Sequence, residues 1–233
     1  MSNNIHVIKV GGSILSLSDE DLFSFPMAYK IKESLTNNDD KQYILCVGGG
    51  YLCRKYQRSM RDNNISDKEQ HNVGVATINL NAAMLKSVFG EDAEEEILKY
   101  ENYDEDYKLT LTKKFMITAA GSPGHSSDWN TVKLALRSDA KVIVSLKNVD
   151  GVYTEDPRKN SNAKKLENIS WDEYINIIGN PTTFEPGGNY PVDIFAARLA
   201  KENAIKFYII SGNDFENMKK AINGESFIGT TIS

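Results

Sequence analysis

Four short segments of this chain hold the residue types that handle phosphate. In Lys9-Val10-Gly11-Gly12-Ser13, a lysine near the end of an apolar run is followed by two glycines. Glycines there let the backbone turn sharply and bring several N–H groups close to an anion. Lys9 adds a positive charge for a phosphate in transfer. Read alone, the segment is equally a Gly-Gly turn beside a solvated lysine, and no GxGxxG dinucleotide fingerprint accompanies it. In the second segment, Val47-Gly48-Gly49-Gly50 leads into Arg54, Lys55 and Arg58. Three glycines that leave a strand and open a helix make an anion seat, because the first helical N–H groups are unpaired and the dipole end is positive. Arg54 and Arg58 share one helix face by spacing. The plain alternative is a glycine-capped helix with a solvated basic face.

The third segment is Gly121-Ser122-Pro123-Gly124-His125-Ser126-Ser127-Asp128. Ser126 and Ser127 can cap the helix that follows, and their hydroxyls can equally bind phosphate oxygens. Asp128, in the first helical turn, is placed to orient Lys9 or an amide network. His125 is either a structural loop residue or a site group. As a general base it has little to do, since transfer to an existing phosphate removes no proton. The fourth segment, Asn148-Val149-Asp150-Gly151-Val152-Tyr153-Thr154-Glu155-Asp156-Pro157, reads as an Asp-Gly turn, a short strand and a second turn. Tyr153 offers a flat ring to an adenine and Asp156 an acceptor to its amino group or ribose; otherwise this is a plain hairpin.

The elements that must position these segments are legible as apolar runs. Strands are predicted at residues 5–10, 42–47, 114–118, 141–146 and 206–210, all rich in β-branched or aliphatic residues. Lys141-Val142-Ile143-Val144-Ser145-Leu146 is too continuously apolar for a half-exposed strand and suits a parallel sheet covered on both faces. Between the strands lie amphipathic stretches, such as Val73, Thr77, Leu80, Met84 and Val88, spaced for one helical face. Alternation of this kind implies βαβ units, an α/β fold and glycine loops gathered at the sheet's carboxyl edge. The acidic segment from Glu91 to Asp106, with Tyr100 and Tyr103 and then Tyr107, reads as a mobile connection or lid.

In this order and at these separations the four segments closely resemble the amino-acid-kinase superfamily, over essentially the whole chain. The third looks most like the PGHTTD loop of archaeal-type UMP kinases, and the helix from Gly74 to Leu85 looks like their acceptor-side helix. The resemblance implies a three-layer αβα sandwich with a mainly parallel central sheet, in one domain spanning 1–233. It implies an acceptor-binding part at about 1–140 and an ATP-binding part at about 141–233. It further implies transfer of the γ-phosphoryl group from ATP, with its Mg²⁺, to UMP, no protein ligand for the metal being expected.

By the same similarity Lys9 and Asp128 are catalytic, and Gly11, Gly12 and Ser13 contact the ATP phosphates. Gly50 and Arg54 lie towards ATP, while Tyr153 and Asp156, with the backbone or side chain of Lys147, frame the adenine. Gly49, Gly121, Ser122, Pro123, Gly124, His125, Ser126 and Ser127 hold UMP. The family's ribose-binding aspartate, three residues before the glycine matching Gly74, is here His71, which could still hydrogen-bond a hydroxyl. The segment from Phe184 to Asp193 also departs from the family, and its Pro191-Val192-Asp193 is similar to molybdenum storage proteins, non-catalytic oxoanion binders of this fold. Isopentenyl phosphate kinases place a histidine shortly after the glycine triplet, where this chain has Tyr51, Leu52 and Cys53. Other acceptors of the same fold are carboxylates and carbamates. UMP kinases of this fold are commonly hexamers, so a homo-oligomer is expected from the likeness alone.

The whole-chain numbers set outer bounds. With 233 residues, 40% hydrophobic and 25% charged, the composition is that of a globular protein with a sizeable core. A formal net charge of -5 offers no global field for nucleic acid or an anionic membrane, yet leaves room for a local phosphate site. No signal peptide opens the chain, and no stretch approaches the ~20 apolar residues of a membrane span. Cys46 and Cys53 are expected as reduced thiols, which fits a cytoplasmic location.

Overall fold

The apolar runs become strands lying side by side in a computed structural model, which describes residues 4–37, 40–99, 108–120, 125–157, 159–179 and 190–233. β1 (Ile5–Val10) and β2 (Gln42–Val47) occupy the predicted runs. β4 (Phe115–Ala119) and β5 (Val142–Lys147) begin and end one residue later than expected, and β9 (Lys206–Ser211) ends one later. Three short strands complete the sheet: β3 (Leu98–Lys99), β8 (Asn168–Ile169) and β10 (Thr230–Ile232). The order across it is β3-β4-β2-β1-β5-β9-β10-β8, parallel except where β10 runs antiparallel to β9. Lys9 stands in register with Cys46 on one side and Ser145 on the other, so the glycine loops leave neighbouring strands at the same edge.

Helices cover both faces, as continuously apolar parallel strands require. On one face α1 (Gly12–Leu15), α2 (Phe25–Thr36), α4 (Asp67–Phe89) and α8 (Phe215–Ile222) pack over Ile8, Val10, Leu45 and Val47. On the other, α5 (Ser127–Arg137), α6 (Trp171–Ile177) and α7 (Ile194–Glu202) pack over Val7, Ile44, Ile143 and Phe207. This is a three-layer αβα sandwich. α3 (Gly50–Asp62) lies against α4, and β6 (Val152–Tyr153) pairs with β7 (Lys165–Leu166) as a separate hairpin. Of the acidic segment, residues 90–92 form a 3₁₀ turn and β3 follows; positions 100–107 lie outside the described residues.

α4 departs from expectation in one respect. Its buried stripe is Gln70, Gly74, Thr77, Asn81, Leu85 and Val88, while Leu80 is 50% exposed. The hydrophobic spacing therefore identified the helix but assigned Leu80 to the wrong side. The reason is chemical: small and polar residues face α3 and the glycine triplet, where backbone groups need partners. The stretch 67–92 contains an 18-residue window with mean hydropathy 1.2, enough for a membrane span by length and composition alone, and 39% of that window is buried. Its buried side nevertheless packs on β4 and on α2 and α3 within the sandwich.

At the opposite end of the sheet, His6 packs beside Tyr43, with ring centroids 5.9 Å apart. Burial, helped by the charge of Lys41, lowers its pKa from 6.5 to about 4. The unfolded chain therefore takes up a proton here before the folded one does. Stability is full above pH 6.5 and declines as the pH falls towards 4. Melting temperature is expected to drop between pH 6.5 and about 5, and His6→Gln to flatten much of that slope. An unchanged slope in the variant would contradict this account.

Candidate active site

The glycine loops touch through their backbones. A Cβ on Gly12 would fall 2.1 Å from Gly50 N, one on Gly48 2.7 Å from Gly12 N, and one on Gly50 2.3 Å from Gly12 O. Gly50 also has φ +70, a left-handed conformation that glycine adopts without strain. Asn81 on α4 donates its side-chain amide to the carbonyls of Gly48 at 2.8 Å and Gly49 at 3.1 Å. Ser16 ties the loops from the other side: its N–H donates to Gly12 O, while its carbonyl and hydroxyl oxygens accept Tyr51 N–H at 2.9 Å and Leu52 N–H at 3.1 Å. So two early amides of α3, expected to face an anion, are engaged within the protein. In α1 the first turn bond runs from Ile14 N–H to Gly11 O at 2.9 Å, which places the amides of Gly12 and Ser13 ahead of it.

Lys9 rises from β1 beneath the start of α5. It is 1% exposed, and its Nζ donates to Ser127 Oγ at 2.7 Å. A Cβ on Gly48 would sit 3.4 Å from that Nζ, so the ammonium lies alongside the second glycine loop. Burial lowers the Lys9 pKa to about 8; Asp128 and Asp193 oppose the shift, and Lys147 adds to it. Lys147, at the end of β5, places its Nζ 3.2 Å from Asp128 Oδ1 and 3.4 Å from Oδ2. The Lys147 side chain is thus directed into the centre, leaving its backbone as the group that could face the adenine, and Asp128, expected to organise Lys9 and its neighbours, is bonded to Lys147. Beside Lys9 in the sheet, the Ser145 hydroxyl is fully buried without a hydrogen-bond partner among the described residues.

The third segment meets this pair of lysines through the first turn of α5. Ser126 is its N-cap, accepting Trp129 N–H at 2.9 Å, and the next two residues are Ser127 and Asp128. His125 stacks on Trp129 with centroids 3.8 Å apart and planes 9° from parallel. Burial, then the charge of Lys133, lowers the His125 pKa. Gly121, Ser122, Pro123 and Gly124 lie outside the described residues. His71 is half-buried on α4, one turn before Gly74, where a Cβ would meet Gln57 Nε2 at 2.9 Å.

In the fourth segment the Tyr153 hydroxyl donates to Asp150 Oδ1 at 2.8 Å, and Lys165 Nζ lies 3.1 Å from Asp150 Oδ2. The backbone oxygen of Asp156 closes a turn with the amides of Lys159 and Asn160. Arg54 and Arg58 are exposed on α3, whereas Lys55 is paired with Asp19, which also accepts the Tyr51 hydroxyl at 2.9 Å. Sequence reasoning missed Ser16 and Asn81, whose roles are bonds to backbone and leave no motif.

A cationic edge with glycine-lined loops is the setting in which family likeness can be weighed. The model of the amino acid kinase family matches residues 4–211. The chain belongs to this family. Among amino acid kinases, a uridylate kinase of Pyrococcus abyssi is 33% identical over 227 residues, spanning 97% of this chain and 98% of the relative. One from Archaeoglobus fulgidus is 31% identical over 229 residues, with 97% and 99% covered. The crystal structure of the Archaeoglobus fulgidus uridylate kinase has a TM-score of 0.78 at 29% identity, covering 98% of this chain and 100% of that one. A UMP kinase structure from Bacillus anthracis reaches a TM-score of 0.78 at 18% identity, a likeness of fold.

Two outcomes follow for this amino acid kinase. Lys9 loses its charge as pH rises through about 8, so kcat/KM, which reports the free enzyme, is expected to fall above that pH. Phosphates bound beside Lys9 would hold its proton, so kcat is expected to persist to higher pH; parallel profiles would contradict the assignment. Gly12→Ala has no room for its Cβ beside Gly50 N and is expected to abolish turnover or folding. Wild-type kinetics in that variant would show that the loops are not in contact.

Proposed function

We propose that this protein is a UMP kinase, which catalyses ATP + UMP → ADP + UDP. The observation that carries the reading is the buried Lys9 ammonium lying alongside the Gly48 loop, which touches the Gly12 loop through its backbone, next to the Lys147–Asp128 pair. Support comes also from the near-full-length likeness to proteins named uridylate kinase. An oxygen of the UMP phosphate attacks the γ-phosphorus of ATP, and the bond to the β,γ-bridging oxygen breaks in line. Both groups are anionic, so the protein's task is to place them end to end and offset their repulsion. Lys9 and the amides of Gly12, Ser13 and Gly50 take the ATP phosphates, with Arg54 towards the same side; the Gly11 amide, expected among them, is already donated to Leu146 O at 2.9 Å. Gly49 and the 121–127 loop, with His125 and Ser127, take UMP, and His71 lies on the acceptor side; the Ser126 hydroxyl, expected there too, is engaged with Asp193 and the Trp129 amide. Asp128 holds Lys147 in the centre, and Tyr153 and Asp156 lie towards the base of ATP.

Mg²⁺ enters as part of the MgATP substrate. Among the described residues no cluster of three or more His, Cys, Asp or Glu could hold a metal. Asp128 is bonded to Lys147, and Asp193 to Ser126 and two amides. With both carboxylates engaged in this way, the described residues do not fit a protein-ligated ion. In this reading the acceptor half spans about 1–140, the ATP half about 141–233, and the enzyme works in the cytoplasm as a homo-oligomer, a hexamer by likeness. The exposed side of α4 around Leu80 is its candidate contact surface.

ADP release measured across UMP, CMP, isopentenyl phosphate and acetylglutamate tests the acceptor directly. UMP is expected to give the highest kcat/KM. Preference for another acceptor would reassign the substrate, and intact ATP beside all four would favour a binder without turnover, akin to molybdenum storage proteins. Lys9→Ala is expected to lower kcat about 100-fold or more with a much smaller change in KM, because its charge acts mainly in the transition state.

A further inference from the structure

We propose that Asp193 is a positioning residue that holds the start of α5 through Ser126, and thereby sets Ser127 on Lys9 and Asp128 on Lys147. Asp193 belongs to the Pro191-Val192-Asp193 segment, to which the reaction above assigns no part. The Tyr174 hydroxyl anchors this segment, donating to Val192 O at 2.5 Å and accepting Val192 N–H at 2.7 Å. Tyr174, on α6, is itself fully buried in the core. From that anchor Asp193 caps α7, its Oδ1 accepting Phe195 N–H at 2.9 Å and Ala196 N–H at 3.2 Å. Its other oxygen, Oδ2, accepts the Ser126 hydroxyl.

Ser126 has one hydroxyl proton. Donating it to Asp193 turns the oxygen's lone pairs to the Trp129 amide, which Ser126 accepts as the N-cap of α5. One carboxylate thus fixes the starts of two helices. Capping α7 alone would be served as well by Ser or Asn. A carboxylate here is held against its environment, since burial and the nearby Asp128 both raise its pKa. What Asp adds is a second acceptor-only oxygen reaching across to α5. The two residues after Ser126 are the ones that meet the lysines.

The test compares Asp193→Ser, Ser126→Ala and the double variant with wild type. Asp193→Ser keeps a good cap on α7 but lacks the oxygen that reaches Ser126. Hydrogen exchange at the Trp129 amide is expected to speed up about fivefold or more in Asp193→Ser, with Phe195 and Ala196 unmoved. The UMP KM is expected to rise about tenfold while the ATP KM stays close to wild type. In the Ser126→Ala background Asp193→Ser should add little to either readout. Unchanged exchange at Trp129, or effects that add fully in the double variant, would overturn the proposal. The kinetic readout rests on the UMP reading, but the exchange readout does not; a wild-type enzyme inactive on UMP would remove that reading and leave the exchange result to decide this one.

Discussion

A lysine ammonium withdrawn from water is costly unless other charges or dipoles compensate it. Lys9 is withdrawn almost completely, and the layout of the site can be read as its compensation. Ser127 accepts one of its protons, and Asp128 and Asp193 lie close enough to favour its charge. Lys147 works in the opposite direction and is itself held by Asp128. The resulting balance is incomplete, and in the proposed reaction a phosphate chain completes it. A site of this kind binds anions because it is under-compensated without them, and it does so without a global positive charge on the molecule.

Placing phosphates against Lys9 demands that little else occupy the space above β1 and β2. The glycine loops meet that demand by losing side chains altogether, so that backbone meets backbone and Gly48 lies alongside Nζ. Such loops have no side-chain packing of their own to hold them. Neighbours supply it: Asn81 reaches from α4 to two carbonyls, and Ser16 engages Gly12, Tyr51 and Leu52. This explains why polar residues line the buried stripe of a helix that is otherwise apolar. On the far side of Lys9, helix caps do the same work, with Ser126 holding α5 and Asp193 holding α7.

Much of the architecture was legible in the residues because a parallel sheet buried on both faces writes itself as uninterrupted Val, Ile and Leu runs. The strands at 5–10 and 42–47 match to the residue. Lys9, Ser126 and Asp128 were legible as site candidates because each sits at a strand or helix terminus where its type has a specific use. The face of α4 was not legible, since Leu80 is apolar yet exposed, and Asn81 is polar yet buried by its bonds to the glycine loop. Nor was the direction of Lys147, because a lysine at a strand end can point to either ligand and only the fold shows Asp128 within reach. The α3 amides taken by Ser16 come from a contact between segments distant in sequence, for which local pattern carries no signal.

The claim beneath all of this is that Lys9 is dry and under-compensated until nucleotide arrives. Titration of the Lys9 side chain by NMR, with its resonance assigned through Lys9→Arg, measures that state directly. The free protein is expected to titrate near 8, and addition of a non-hydrolysable ATP analogue to move the midpoint upward. A midpoint at the ordinary 10.5 in the free protein, unmoved by the analogue, would show Lys9 to be a solvated bystander.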